Sequence, residues 1–380
     1  MILTLTANPS LDRTIELSGP VLRGQVQRAL WAGQQPGGKG VNVSRAVAAA
    51  DRDTLAVLPG DLDDPVLTGL DAIGLTHRSV PTGTPLRSNI TVTEPDGTTT
   101  KINEPGSPLS AQTQNALLDL VAEQAVGANW VVLAGSLPPG VDDDFYARAI
   151  ERIRELPAPP LIAVDTSGAP LAAALMASPD LIKPNAEELA ELLHSAGLLR
   201  ASGLRDSAEP RDAAEPLGTT ELHAIADRLE TSPRLAARAT STLLTARGPR
   251  PWSILATLGA GGAVLAQPGA SWHAQHPPME VVSTVGAGDS TLAGYLLGLT
   301  DGREPDEALA RAVAYGAAAA RLRGTGVPSP ADAWTDAVTV TPLETPAAPL
   351  TGSPTSHADT HTDDTPHRHE GTALEAEEAR

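Results

Sequence analysis

The 380-residue chain has no cysteine, which excludes disulfides, a thiolate nucleophile and a zinc–thiolate site. Aromatic residues are scarce: one Phe, three Tyr and five Trp. Leu, Ala, Val and Ile must therefore fill the core, and a hydrophobic fraction of 41% is enough for a sizeable one. Positive charge is also in short supply, with 27 Lys and Arg against 46 Asp and Glu and a formal charge of −19. That balance argues against non-specific binding to nucleic acid or to an anionic membrane surface. It leaves room for a small anionic ligand, for which a few local cations suffice. No apolar run reaches transmembrane length, and the opening MILTLTANPSLDR lacks the basic and long apolar regions of a secretion signal. A soluble cytoplasmic protein is the expectation.

What is present is an alternation. Short apolar runs (ILTLTA, TLAVLPG, WVVLAGS, LIAVDTS, DLIKPN, SILATLG) are separated by helical patterns at 110–126, 142–155, 186–196, 288–299 and 305–323. Several runs are apolar on both faces, as buried parallel strands must be. The alternation predicts a parallel sheet with helices on both sides, in one domain over residues 1–335. Residues 12–34 and 85–103 alternate polar and apolar instead, with a Pro-Asp-Gly turn in the second segment. They predict a small exposed sheet acting as a lid. A polar stretch at about 197–220 reads as a surface insertion. Residues 336–380 are rich in Thr, Pro, Asp, Glu and His and are expected to be a disordered acidic tail, since so little apolar surface cannot offset the entropy of ordering. Four histidines lie there (His357, His361, His367, His369), and their irregular spacing favours a solvated tail over a metal site.

Each apolar run ends in a polar or glycine-rich loop, and ligands of open α/β sheets bind outside the carboxyl ends of the strands. The sharpest of these motifs is STVGAGDSTLAGYL. Gly286, Ala287 and Gly288 lead into a helix whose free N–H groups can face an anion, and Asp289 arrives in its first turn. Were a phosphoryl group transferred there, the amides would stabilise its oxygens and Asp289 would take a proton from the attacking hydroxyl. The plain alternative is that Asp289 caps the helix. A second motif, WAGQQPGGKGVNVSRAV, approximates a P-loop through Gly33, Gly38 and Lys39 but has Gly40 where a hydroxyl residue is needed for Mg²⁺. Gly37, Gly38, Lys39 and Asn42 suit a polar small molecule better, with an ordinary glycine-rich turn as the alternative. In KPNAEEL, Lys183 precedes Asn185 and Glu188, which have capping-box spacing; Mg²⁺ and phosphate contacts are the functional alternative. Asp12 and Asp165 follow buried strands, while Arg87 and Ser136 are weaker candidates. Lys39, Arg87 and Lys183 form the cationic set from which a phosphate site would draw. No histidine falls in any of these motifs, which argues against a His base or a Ser-His-Asp triad. The loop LGAGGAV is no dinucleotide fingerprint either.

Together these motifs resemble the ribokinase-like (PfkB) carbohydrate kinases from residue 1 to about 330. PGGKGVNVSRAVA is similar to the family's N-terminal signature and VVSTVGAGDSTLAGYL to its C-terminal one. TLTANPSLDRTIEL, TKINEPG, LAGSLPPGV and LIKPNAEEL resemble the branch acting on phosphorylated ketohexoses. The resemblance implies a three-layer α/β/α sandwich with a small β-sheet lid. It implies ATP- and Mg²⁺-dependent phosphorylation of fructose 1-phosphate at the C6 hydroxyl. Tagatose 6-phosphate, fructose 6-phosphate and a non-catalytic phosphosugar sensor are the alternatives. It makes Asp289 the base and Gly286, Ala287 and Gly288 the anion hole. Asp12, Gly37, Gly38, Lys39, Asn42, Arg87 and Ser136 would hold the sugar phosphate. Lys183, Asn185, Glu188, Thr257, Gly259, Gly262 and Gly288 would hold the nucleotide, with Glu188 indirectly organising the metal. A homodimer through the lid is one further expectation, because an exposed sheet asks for a partner surface.

Overall fold

The structure, a computed structural model, describes residues 1–205, 218–246 and 253–344. The chain begins with β1 (Ile2–Thr6), β2 (Ser10–Leu17), β3 (Ala29–Gly37), α1 (Lys39–Ala49), β4 (Thr54–Pro59), α2 (Pro65–Ala72) and β5 (His77–Val80). It continues through β6 (Arg87–Thr93), β7 (Thr99–Asn103), α3 (Ala111–Gln124), β8 (Trp130–Ala134), α4 (Phe145–Arg154), β9 (Leu161–Asp165) and α5 (Gly168–Met176). Then follow β10 (Leu181–Ile182), α6 (Ala186–Ser195), α7 (Thr219–Thr231), α8 (Pro233–Ala246) and β11 (Ser253–Thr257). The last elements are β12 (Ala263–Gln267), β13 (Ala270–Gln275), α9 (Ala287–Thr300), α10 (Pro305–Ala320) and β14 (Thr339–Leu343). Among the described residues no helix is long and apolar enough to cross a membrane.

The main sheet has ten strands in the order β14-β13-β12-β11-β10-β9-β8-β1-β4-β5. Strand β1 is buried along its whole length between parallel neighbours β4 and β8. Its side chains alternate between two cores, as the strand's period of two requires. Leu3 and Leu5 pack with α3 to α8 on one face, and Ile2 with α1, α9 and α10 on the other. Helix α2 covers Ala56 and Leu58 of β4 in a smaller cluster. This is the expected three-layer arrangement, with each fully buried Leu worth roughly 1.5–3 kcal/mol. Helix starts follow local chemistry: Asp64 caps α2 ahead of Pro65, and Ser110 caps α3.

Four expectations need correction. The sheet is mixed rather than parallel, because β12, β13 and β14 run antiparallel at one edge. Only Pro268 and Gly269 join β12 to β13, too few for the crossover that parallel pairing needs. Second, the segment assigned to the tail from residue 336 begins inside the fold, since Thr339–Leu343 pairs with β13. The remainder, 345–380, lies outside the described residues. Third, the insertion is not wholly peripheral: Leu199 and Leu204 are core residues and α7 starts at Thr219. Its centre, 206–217, is outside the described residues. Fourth, α2, α5, α7 and α8 were not foreseen, and α10 ends at Ala320 rather than 323.

A second, four-stranded sheet, β3-β2-β6-β7, stands beside the body. Its strands fall within or next to the two segments expected to form a lid. Strand β2 pairs antiparallel with β3 and in parallel with β6, so Asp12 lies opposite both Gln35 and Asn89.

Candidate active site

The carboxyl ends of the parallel strands meet the amino ends of α1, α6 and α9 along one edge, and there a buried ion cluster forms. Asp165 ends β9 with no exposure. Its Oδ1 lies 2.7 Å from Lys39 Nζ, at the start of α1, and its Oδ2 3.1 Å from Lys183 Nζ, just after β10. Burial works against a charged Asp165, but the two ammonium groups outweigh it and hold its pKa below the usual carboxylate value. Lys39 also approaches Glu188 Oε1 at 3.5 Å. Its burial is likewise overcome by Asp165, Glu188 and Asp289, which keep the ammonium firmly charged. Lys183 is almost wholly buried whereas the Lys39 side chain is 34% exposed, so Lys39 is the member of the pair that reaches open space.

Asp289 stands in the first turn of α9 without capping it. Gly286 takes a left-handed φ of 77° ahead of the helix, a conformation suited to glycine, and no side chain caps the terminus. Instead Asp289 Oδ2 accepts a hydrogen bond from Asn42 Nδ2 at 2.9 Å. No side chain occupies the first-turn amides, although Ala287 N donates weakly to Thr284 O at 3.4 Å, and the arrangement decides against the capping alternative. Burial, then the nearby charge of Asp165, push the Asp289 carboxyl up to about 6, against the pull of Lys39, Asn42 and Lys183. A Cβ added to Gly288 would lie 3.4 Å from Lys183 Nζ, so that ammonium borders the same helix terminus. Backbone amides, helix dipole and Lys183 thus lie at the same helix terminus, an arrangement that favours an anion.

Asn185 and Glu188 form a complete capping box on α6, with Glu188 N to Asn185 Oδ1 at 2.8 Å and Asn185 N to Glu188 Oε2 at 2.9 Å. The structural reading of that motif holds, and Glu188 still turns Oε1 towards Lys39. An isolated parallel bridge joins Asn185 to Thr257, tying the loop after β11 to the start of α6. Gly259 opens a short 3₁₀ turn there, and Gly262 lies so close to β13 that a Cβ would meet Ala274 O at 2.0 Å.

The small sheet brings its own polar set. Asp12 Oδ1 accepts from Ser10 Oγ at 2.7 Å and from Asn89 Nδ2 at 3.1 Å. Gly37 passes so near that an added Cβ would sit 2.1 Å from Asp12 Oδ2, so a side chain there would displace the Asp12 carboxylate. Burial raises the Asp12 pKa, opposed by Ser10, Asn89, Arg87 and Arg45. Arg87 donates to Asn8 O and Glu104 O, while Asn8 donates to Ser136 Oγ at 3.4 Å. Arg87 and Ser136 therefore meet around Asn8.

Lys39, Asn42, Lys183, Glu188 and Asp289 are brought together with Asp165; Asp12 and Gly37 form a second group, and Arg87 with Ser136 a third. Sequence reasoning missed Ser10, Asn89 and Arg45. Arg45 carried one readable signal, a basic residue three positions after Asn42 on a helix whose Val41, Val43, Ala46 and Val47 are apolar.

The fold is the ribokinase-like α/β sandwich. Phosphofructokinase-2 from Escherichia coli, solved in complex with fructose-6-phosphate, superposes with a TM-score of 0.68 at 25% identity, covering 87% of this chain and 96% of that one. A sequence model of the pfkB family carbohydrate kinases matches residues 5–332, and the chain belongs to that family. Among curated relatives, a 1-phosphofructokinase of Haloferax volcanii is 33% identical over 341 residues, 88% of this chain and 96% of that protein. An ATP-dependent 6-phosphofructokinase isozyme 2 of Mycobacterium tuberculosis is 31% identical over 330 residues, 85% of each. The chain is a phosphofructokinase-type sugar kinase, with ATP as co-substrate.

Proposed function

We propose that the chain transfers the γ-phosphoryl group of ATP to the C6 hydroxyl of fructose 1-phosphate, giving fructose 1,6-bisphosphate and ADP, with Asp289 as general base. The observation that carries the reading is Asp289 itself. It is buried, held by Asn42 rather than spent as a cap, and placed in the first turn of an uncapped helix. A carboxylate titrating near 6 is ionised at neutral pH yet basic enough to accept the hydroxyl proton as the oxygen attacks phosphorus. The bond from phosphorus to the ADP oxygen breaks as the new one forms. The amides of Gly286 to Gly288 and the Lys183 ammonium take up the charge on the transferring group, and Lys39 and Asn42 orient the sugar. Asp12 binds its hydroxyls, and Arg87 with Ser136 its existing phosphate. Thr257, Gly259 and Gly262 line the nucleotide.

Magnesium fits this site as a companion of the nucleotide. Among the described residues no three His, Asp or Glu side chains form a cage for a metal. Mg²⁺ needs none, since it commonly keeps its waters and uses one or two carboxylates plus substrate phosphates. Glu188, anchored by the capping box, is the carboxylate that would serve it through water; bound there, the ion neutralises phosphate charge.

The choice of sugar rests on the Haloferax relative, named for fructose 1-phosphate chemistry; the Escherichia and Mycobacterium relatives favour fructose 6-phosphate as the second reading. An ADP-release assay across fructose 1-phosphate, fructose 6-phosphate, tagatose 6-phosphate and fructose decides between them. The highest kcat/KM is expected for fructose 1-phosphate. A preference for a 6-phosphate would keep the mechanism and change the substrate, whereas tight binding without turnover would return the reading to a sensor. Asp289→Ala is expected to lower kcat by about 10²- to 10⁴-fold. Retention of more than about a tenth of the activity would remove Asp289 as base. Exposed Leu30, Trp31 and Ile102 on the small sheet support a homodimer through that sheet.

A further inference from the structure

One guanidinium outside the residues assigned so far touches three parts of the molecule that phosphoryl transfer must bring into register. Arg45 lies on α1 one turn after Asn42, so its side chain runs beneath that amide. Its Nη1 donates to Asn42 Oδ1 at 3.3 Å, to Pro36 O at 3.3 Å and to Thr325 O at 3.1 Å. Its Nη2 donates to Gln35 Oε1 at 2.9 Å. Gln35 Oε1 accepts a second bond from Thr325 Oγ1 at 3.0 Å. Pro36 and Gln35 belong to β3 of the small sheet, and Thr325 to the loop after α10.

We infer that Arg45 is a positioning residue that couples the seating of the small sheet to the orientation of the Asp289 base, acting through Asn42. The inference rests on the general-base reading of Asp289. An amide can present either end to a neighbour, and only the nitrogen end can donate to a carboxylate. By donating to Asn42 Oδ1, Arg45 fixes that oxygen on its own side and aims Nδ2 at Asp289 Oδ2. The base then has one oxygen engaged and the other left for the substrate hydroxyl. The same guanidinium grips β3 where the strand enters the glycine turn before Lys39, so the small sheet cannot lift there without breaking bonds to the group that aims Asn42. The planar fork suits this task, since its donors leave in fixed directions and a lysine offers a single point. The 323–325 loop reinforces the joint: Arg323 pairs with Glu16 of β2 at 3.3 Å, and Ser283, just ahead of the anion hole, donates to Gly324 O at 3.2 Å.

The test is the pH dependence of kcat with Mg·ATP and the preferred sugar phosphate, in Arg45→Met, Arg45→Lys, Gln35→Ala, Asn42→Ala and the Arg45→Met/Asn42→Ala double variant. The Asn42 hydrogen bond lowers the Asp289 pKa, while burial and Asp165 raise it and Lys39 and Lys183 lower it; these four remain in every variant. Releasing Asn42 should therefore move the acid limb of the profile to higher pH. Arg45→Met is expected to shift that limb by about half a unit or more and to raise the sugar KM severalfold. Gln35→Ala removes one of the two small-sheet contacts of Arg45 and the Thr325 Oγ1 bond but leaves Arg45 on Asn42 Oδ1, so it should raise KM and leave the limb in place. Arg45→Lys should fall between wild type and Arg45→Met, and it supplies the reading if the Met variant does not fold. The double variant should shift the limb no further than Asn42→Ala alone, since coupled residues are non-additive. An unmoved limb in folded Arg45→Met and Arg45→Lys proteins, or additive shifts, overturns the inference. A limb that persists in Asp289→Asn overturns the base assignment itself. A limb that disappears in Asp289→Asn yet stays put in the Arg45 variants removes only the role of Arg45.

Discussion

Asp289 and Asp165 are both buried carboxylates at the same sheet edge, yet their environments drive them in opposite directions. Asp165 has two lysines on its two oxygens and is held ionised; Asp289 has one neutral amide and a neighbouring negative charge, and is pushed up to about 6. The difference assigns their work, since only the second can exchange a proton near neutrality. It also has a cost in stability. A folded-state pKa raised from the ordinary 3.8 to about 6 gives stabilisation that is full below the ordinary value and is lost as pH rises through 6. At about 1.36 kcal/mol per unit, the ionised Asp289 costs up to about 3 kcal/mol at pH 8. Asp289→Asn should therefore melt higher than the wild type at pH 8, with the gap closing towards pH 4, while its kcat collapses. Equal melting differences at both pH values would show that the carboxylate is not strained by its surroundings. The chemistry of these residues was legible because glycine, lysine, asparagine and aspartate recur at fixed spacing around turns. Arg45, Ser10 and Asn89 were not, because their roles come from partners far along the chain: Thr325 for Arg45 and Arg87's strand for Ser10.

At the scale of elements, the signals that succeeded were those carried by a single segment. Buried β8 and β9 announced themselves as short apolar runs and β1 as a Leu-rich run interrupted only by threonine, and the capping box at Asn185 was readable from four residues. Segments failed where the sequence pattern was weak or pairing was remote. Helix α5, GAPLAAALM, is too apolar to show a polar face, and β14 is a five-residue edge strand whose partner lies nearly seventy positions earlier. The capping box also does a second job, since Glu188 is fixed at its Oε2 and so presents Oε1 to Lys39. Asn185→Ala removes the acceptor of the Glu188 amide and should cost about 1 kcal/mol in urea denaturation. Asn185→Asp, which keeps the acceptor, should recover most of that loss. If the alanine variant unfolds at the wild-type urea concentration, the bridge from Asn185 to Thr257 is holding the segment without the cap.

The whole molecule presents a conflict between charge and exposed apolar surface. Each chain carries a formal charge of −19, so two copies repel at long range. The small sheet nevertheless exposes Leu30 at 71% and Ile102 at 57%, on its two edge strands β3 and β7. Unpaired edges of this kind are normally blunted by charge or covered by a partner. Lys101 supplies some charge on β7, while Leu30 and Trp31 on β3 have none beside them in the strand. If the homodimer proposed through this sheet forms, its apolar contact must outweigh the repulsion, and salt will screen the second term far more than the first. Sedimentation velocity at micromolar concentration should then show a dimer that tightens between about 20 and 200 mM salt. Leu30→Glu should dissociate it by placing a carboxylate where apolar surface was buried. Because β3 runs directly into Gly37 and Lys39, the monomeric variant should also bind the sugar phosphate less tightly, with ATP affinity little changed. A wild type that sediments as a monomer at every salt concentration would mean that the sheet closes over its substrate unaided.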